Sequence, residues 1–447
     1  MIRHRADVCR ITVAAILWPT AAAAEVPGIS VLGVPIDFIL FALTLIGVAL
    51  FHRHTLYVAL TGLAVIALYK IGFAGFKEGP GLAGLGAHMA HEAVMLTNLL
   101  LLLLGFALLS HHFEESRAPL ALPRFLPRGW LGSFVLLAMI FVLSSFLDNI
   151  AAALIGAAIA ASVYRRKVHI GFLAAIVAAS NAGGAGSVVG DTTTTMMWIA
   201  GVSPTMVFEA YVASVVALIV FGIPAALQQE RVAPIQSDSD GREPIDWARV
   251  GIVAFILVAA IVTNVVVNSR FPEISDAFPF IGAAVWGALL ISARLRMPHW
   301  RLLPEAFKGS IFLLALVTSA SMMPVEELPA ASWQTALGLG FVSAVFDNIP
   351  LTALALKQGG YDWGFLAFAV GFGGSMIWFG SSAGVALSNV FGEAKSVAAW
   401  VRNGWHVPVA YVIAFFVMLF VLEWHADTHP GRATGEATGH STVRPDK

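Results

Sequence analysis

Three aspartates, Asp148, Asp191 and Asp347, lie in the middle of apolar stretches. Burying a charge there is costly without a partner, so each marks a functional position by default. Asn149 follows the first and Asn348 follows the third. Asp191 sits in the run Ser180–Trp198, SNAGGAGSVVGDTTTTMMW, and a fourth polar interruption, Ser375–Asn389, carries serines but no acid. Gly183, Gly184, Gly186 and Gly190 weaken helix around Asp191, and Thr192–Thr195 supply four hydroxyls. At bilayer depth an unsatisfied peptide group costs several kcal/mol, so an unwound stretch survives only inside protein or lining a wet cavity. Freed carbonyls, hydroxyls and a carboxylate make a hard-oxygen site for a small cation such as Na+. A carboxylate in that setting holds a proton or a sodium ion but not both comfortably, and such competition is what an exchanger needs. Asp148 and Asp347 are the first candidates for ion binding and proton exchange, with Asp191 the third. Two plainer readings stand beside this one: each aspartate as a cap for its own turn, and the glycine run as a packing seam.

The elements that must position these groups are membrane helices. Of 447 residues 58% are hydrophobic and 12% charged, with a mean hydropathy of +0.82. Soluble domains are about a quarter charged, so the composition describes an all-α polytopic membrane protein. A net charge of −1 gives no nucleic-acid signal, and Cys9, the single cysteine, excludes a zinc or redox cysteine motif. There is no Walker A sequence for ATP drive, and HMAHE lacks the HExxH spacing of a metalloprotease, so neither an enzyme nor a cofactor is expected. Residues 1–24 read as a signal peptide: Arg3 and Arg5, an apolar core Ile11–Trp18, and Ala21–Ala24 before Glu25. Cleavage would place the new N-terminus outside; an uncleaved anchor helix is the other reading.

Residues 25–227 hold spans at Val34–Phe51, Leu56–Phe76 and His88–Ser110, a hairpin at 130–164, a broken helix at 170–200 and a closing span, Met206–Leu227. The polar linker 228–249 carries Arg231, Arg242 and Arg249 and is expected in the cytoplasm. Residues 250–424 repeat the plan with Val250–Val267, Ile281–Ala293, Gly309–Met323, a hairpin at 333–356, a broken helix at 365–390 and His406–Glu423. Residues 425–447 are polar and expected to be disordered. The first hairpin is flanked by Arg128 and by Arg165, Arg166 and Lys167, which suits entry and exit on the cytoplasmic side. The second has Glu326, Glu327 and Asp362 at its ends, which suits the outer side. About 10 full spans plus two hairpins, with halves of opposite orientation, make an inverted-topology repeat. Lys70, Lys77, Arg270 and Lys357 dissent from the charge rule. His88 and Glu92 share a helical face, which suits proton access or pH sensing; snorkelling at the interface explains them as well, and also Glu209.

Five segments in order, HMAHEAVMLTNLLLLLLGF, SSFLDNIAAALI, SNAGGAGSVVGDTTTTMMWIAG, SAVFDNIPLTALAL and GGSMIWFGSSAGVALSN, resemble the NhaD-type sodium/proton antiporters of the ion transporter superfamily, which also holds arsenite and citrate carriers. The resemblance implies that Asp148, Asn149, Asn181, Asp191, Thr193, Thr194, Ser343, Asp347, Asn348, Ser381 and Ser382 line the ion site, with Glu92 a further essential acid. It implies exchange of Na+ or Li+ for H+, usually at alkaline pH, as in pH homeostasis. It further implies a multi-pass protein of a bacterial-type inner membrane, surrounded by lipid, and a homodimer by analogy with elevator-type carriers. Thr192 departs from the apolar residue associated with that position, which bears on cation preference. On the same scaffold, helix N-termini and hydroxyls could instead hold a small anion or oxyacid, against repulsion from the three aspartates. A non-transporting membrane sensor is the third class.

Overall fold

The computed structural model describes residues 30–31, 33–51, 54–118, 125–235, 244–271, 274 and 277–427. The signal peptide expected at 1–24, most of the tail from 425, and Arg242 in the linker lie outside these residues. A backbone in lipid must satisfy its own hydrogen bonds, and here helices do so. After a two-residue ladder of β1 (Ser30–Val31) on β2 (Val34–Pro35) come α1 (Ile36–Leu50), α2 (Thr55–Tyr69) and α3 (Gly81–Glu115). Next are α4 (Trp130–Ser144), α5 (Asn149–Val163), α6 (Ile170–Ala185), α7 (Thr192–Ile199), α8 (Pro204–Phe208) and α9 (Ala210–Val232). The rest of the chain gives α10 (Trp247–Arg270), α11 (Phe280–Ser292), α12 (Leu303–Ser321), α13 (Trp333–Ser343), α14 (Asn348–Gln358), α15 (Trp363–Gly373), α16 (Ser382–Val390), α17 (Val397–Asn403) and α18 (His406–Leu422).

Two groups form. In one, α1 packs on α2, α2 on α12, and α3 on α10, α11 and α12. In the other, α6 and α15 are central: Gly171 to Ala185 and all of α15 are buried, with α4 and α9 against α6 and α13 and α18 against α15. Small side chains permit that closeness. A Cβ on Gly183 would lie 2.0 Å from the Phe141 carbonyl oxygen, and one on Gly373 would lie 2.2 Å from that of Gly340.

Among the described residues five helical stretches are long and apolar enough to cross a membrane: Thr55–Ala74, Gly81–Glu115, Pro204–Val232, Trp247–Val267 and Trp300–Ser321. A sixth arises if Val397–Asn403 and His406–Leu422, bent by 57°, count as one. Other expected spans are shorter as helices. The stretch Val34–Phe51 yields a strand residue pair and a 15-residue helix that rises about 22 Å, against about 30 Å of hydrocarbon. Apolar composition limits where a span can lie; caps and turns set where the helix stops. Conversely, α3 runs past His88–Ser110 at both ends to 35 residues. The helices α4, α5, α13 and α14, of 15, 15, 11 and 11 residues, also fall below the hydrocarbon thickness.

Three of the four basic residues that dissent from the charge rule have local partners. Lys70, in the π-helical turn Lys70–Ala74 that extends α2, is buried; it lies 3.6 Å from the Asp37 carboxylate and donates to the Met322 carbonyl at 2.8 Å. Lys357 donates to the Ser321 carbonyl, and Lys77 lies 3.9 Å from Glu326. Lys70 and Lys357 therefore satisfy the carbonyls that the C-terminus of α12 leaves over, where a cation is favoured.

Candidate functional site

Each polar interruption contains the N-terminus of a helix. Asp148 caps α5 by accepting from the Ile150 amide at 3.2 Å, and Asp347 caps α14 by accepting from the Ile349 amide at 3.0 Å. Their backbone angles nearly coincide, φ −53° and ψ 140° against φ −54° and ψ 139°. Asp191 caps α7 from the Thr193 amide at 3.2 Å, and Ser381 caps α16 from the Gly384 amide at 3.3 Å. The capping role expected as the plainer reading is thus present at all three aspartates. It occupies one oxygen of each, in keeping with the preference of Asp and Ser for this position.

The four N-termini are tied to one another. Asn149 donates to Asn181 Oδ1 at 3.1 Å, and the Asn181 amide donates to Ser375 Oγ at 2.9 Å and Ser381 Oγ at 3.1 Å. Asn348 donates to Asp191 Oδ2 at 3.4 Å, and Ser382 donates to Asp347 Oδ2 at 3.1 Å. In packing, α5 lies against α16 and α14 against α7. The glycines that admit these turns correspond. A Cβ on Gly184 would meet Gly190 O at 2.7 Å and Asp191 Cβ at 3.1 Å; one on Gly374 would meet Gly380 O at 2.7 Å and Ser381 Cβ at 3.1 Å. By that correspondence Asn181 matches Gly371, whose Cβ would sit 3.4 Å from Asp191 Oδ2. At these two corresponding positions the breaks differ chemically: Asn181 and Asp191 supply an amide and a carboxylate where Gly371 and Ser381 stand in the later one.

Not every residue expected at the site offers a free group. Thr194 Oγ1 donates to the carbonyls of Ser187 at 2.5 Å and Asp191 at 2.9 Å, tying the break to the helix that follows. Ser343 donates to the Val370 carbonyl at 2.7 Å and fastens α13 to α15. Thr193 differs: its hydroxyl is buried with no hydrogen-bond partner among the described residues. Asn149, Asn181, Asp191, Asn348 and Ser381 are buried, while Asp148, Asp347, Ser382 and Thr192 are partly so. Ser375, absent from the expected set, joins the network through Asn181; aligning GGA at 183–185 with GGS at 373–375 is the signal that finds it.

His88 and Glu92 lie on α3, in the other helical group. His88 Nδ1 is 3.1 Å from Glu78 and Nε2 is 3.0 Å from Ser321 Oγ, so its partner is Glu78 rather than Glu92. A cleft bounded by Asp37, Lys70, His88, Glu326 and Lys357 opens there. Glu209 is exposed where α8 meets α9, as expected of an interfacial residue.

Helices long and apolar enough for a bilayer, with capped breaks buried among them, define an all-α polytopic membrane protein. Comparison of the chain narrows the kind. It is 26% identical over 336 residues to Sodium/proton antiporter 1 of Arabidopsis thaliana, covering 64% of this chain and 55% of that protein. It is 27% identical over 287 residues to Sodium/proton antiporter 2 of the same plant (55% and 66%), and 25% identical over 331 residues to the Na(+)/H(+) antiporter NhaD of Alkalimonas amylolytica (63% and 66%). The chain thus spans between 55% and 66% of the length of these curated relatives. No family model matches it. The chain is similar to sodium/proton antiporters of the NhaD type.

Proposed function

We propose that the chain is a secondary active antiporter that exports Na+, or Li+, in exchange for H+ through competition at Asp148, Asp191 and Asp347. One observation carries the reading: among the described residues no lysine or arginine pairs with any of the three carboxylates. A carboxylate enclosed by protein without a counter-charge is strongly disfavoured, so it takes up either a proton or a cation. The four helix N-termini lower that penalty, and aspartates at three of them turn the local field towards a cation. Thr193 supplies a hydroxyl with no other partner, suited to a hard cation.

In this reading the halves are inverted repeats, and the hairpins α4–α5 and α13–α14 enter from opposite faces to meet α7 and α16. The group around α6 and α15 carries the ion relative to the frame of α1–α3 and α10–α12, with a homodimer built on that frame in a lipid bilayer of the bacterial inner-membrane type. His88, held by Glu78, and Glu92 serve proton access or pH sensing rather than ion binding. Names of the relatives support cation exchange, and no basic side chain at the breaks favours an anion. The test is sodium exchange in proteoliposomes holding only this protein. An imposed pH gradient, acid inside, should drive radioactive sodium inward, with Li+ competing. Failure of Na+ and Li+ alike to respond, with uptake of arsenite or citrate in the same vesicles, overturns the reading.

A further inference from the structure

Away from the aspartates, the last turn of α3 presents a different chemistry. His111 and Glu115 are one helical turn apart and share a face. His299, in the connection from α11 to the Trp300–Leu302 turn that precedes α12, brings its ring centroid within 4.9 Å of the His111 ring. The donor atoms of His111, Glu115 and His299 all lie within 4.8 Å of one another. We propose that these three side chains form a site for a borderline divalent transition-metal ion, Zn2+ by preference, which fastens the end of α3 to the segment before α12.

Geometry supports the assignment. His111 Nε2 and Glu115 Oε1 are 3.4 Å apart. Ligand bonds of ~2.1 Å at tetrahedral angles place neighbouring donors about 3.4 Å apart, so this pair is already spaced as one edge of the polyhedron. The donor of the exposed His299 ring, within 4.8 Å of the other two, has to close by up to about 1.4 Å to complete the face, less than a side-chain rotation provides. His111 Nε2 is buried and, apart from the Glu115 carboxylate 3.4 Å away, makes no hydrogen bond among the described residues, a state that a metal bond would relieve.

The surroundings prepare the ligands. His111 Nδ1 lies 3.5 Å from Glu114 Oε2, so a carboxylate stands behind the ring on the side away from Glu115. This is the carboxylate–histidine arrangement that commonly orients a metal-bound imidazole. Arg249 holds Glu115 Oε2 at 2.6 Å and so leaves Oε1 for the ion. Its positive charge opposes a cation, offset in part by Glu114 and by Asp246, which lies 3.8 Å from Arg249 and 2.8 Å from Arg296. Two imidazoles and one carboxylate suit Zn2+, Co2+ or Ni2+ with a water in the fourth position. They do not suit Na+ or Ca2+, which prefer oxygen alone, so this ion is separate from any transported one.

Full-length protein, freed of any histidine tag and metal-stripped, would be titrated with Co2+ and then Zn2+. We expect one equivalent bound with the visible absorption of tetrahedral Co2+, displaced by Zn2+, and a raised Tm on Zn2+ addition. His111→Gln and His299→Gln should each weaken binding more than ~100-fold and abolish the Tm rise, and Glu114→Gln should weaken it ~10-fold. Absence of a tetrahedral cobalt spectrum in the wild type overturns the proposal. So does binding of equal strength in both histidine variants, which would place the metal elsewhere. Should the variants fail to fold, X-ray absorption of the wild-type zinc form decides: two imidazoles support the site, and one or none overturns it.

Discussion

Asn181 on α6 donates its amide to Ser381, the residue that caps α16, across 3.1 Å, and accepts from Asn149, next to the cap of α5, across another 3.1 Å. One fully buried side chain therefore joins α5, α6 and the start of α16. Asn181→Ala removes all three of its bonds and leaves Asn149, Ser375 and Ser381 short of partners. Each buried group left unpaired costs about 1–3 kcal/mol, so the variant should melt several degrees lower and exchange sodium more than tenfold slower. Thermal melts and vesicle exchange on the same preparation check both parts.

Thr193 and Thr194 are adjacent, yet their hydroxyls have opposite roles. Thr194→Val loses the one hydroxyl proton shared between two carbonyls, at about 1 kcal/mol, so its Tm should fall while the KM for sodium holds. Thr193→Val removes a buried hydroxyl that has no partner, so its Tm should hold or rise while the KM for sodium increases. Paired melts and sodium titrations separate the two; the reverse pattern would take Thr193 away from the ion.

Close backbone approach at the breaks makes their glycines intolerant. A Cβ on Gly190 would stand 2.1 Å from Ser144 O, and one on Gly380 would stand 2.5 Å from Ala344 O. Gly190→Ala and Gly380→Ala should abolish a monodisperse size-exclusion peak. Gly338→Ala on α13, with nothing within 4 Å of its Cβ, should leave the peak unchanged and the protein slightly more stable.

The Lys70–Asp37 pair is buried on both sides, with Asp37 2% exposed and Lys70 8% exposed. Lys70→Met strands the carboxylate and should destabilise the protein by about 3–5 kcal/mol, whereas Lys70→Met with Asp37→Leu should recover most of that loss. Chemical or thermal unfolding of the three proteins checks it.

How much of this was legible in the sequence follows from where each signal resides. Helix starts at Asp148, Asp191 and Asp347 are local: a polar pair or glycine run inside apolar residues is visible without a partner. Ser375 required setting one half beside the other. Lys70 and Lys357 look misplaced because a charge rule counts residues and not the Asp37 carboxylate or the Ser321 carbonyl that receive them. Helix length at α1 escaped because hydropathy measures transfer from water, not the turn at which hydrogen bonding ends, whereas α11 has the length expected of it. His299 and His111 meet only through tertiary packing, and their separation in the chain conceals it.

The central claim is competition between sodium and protons at uncompensated carboxylates. Its most direct measurement is sodium-induced proton movement in inverted vesicles at alkaline pH, with wild type beside Asp148→Asn and Asp347→Asn. The account predicts that sodium or lithium dissipates the proton gradient in the wild type and in neither variant, with all three proteins equally abundant and folded. A gradient indifferent to both ions in the wild type, or dissipated undiminished in both variants, contradicts it.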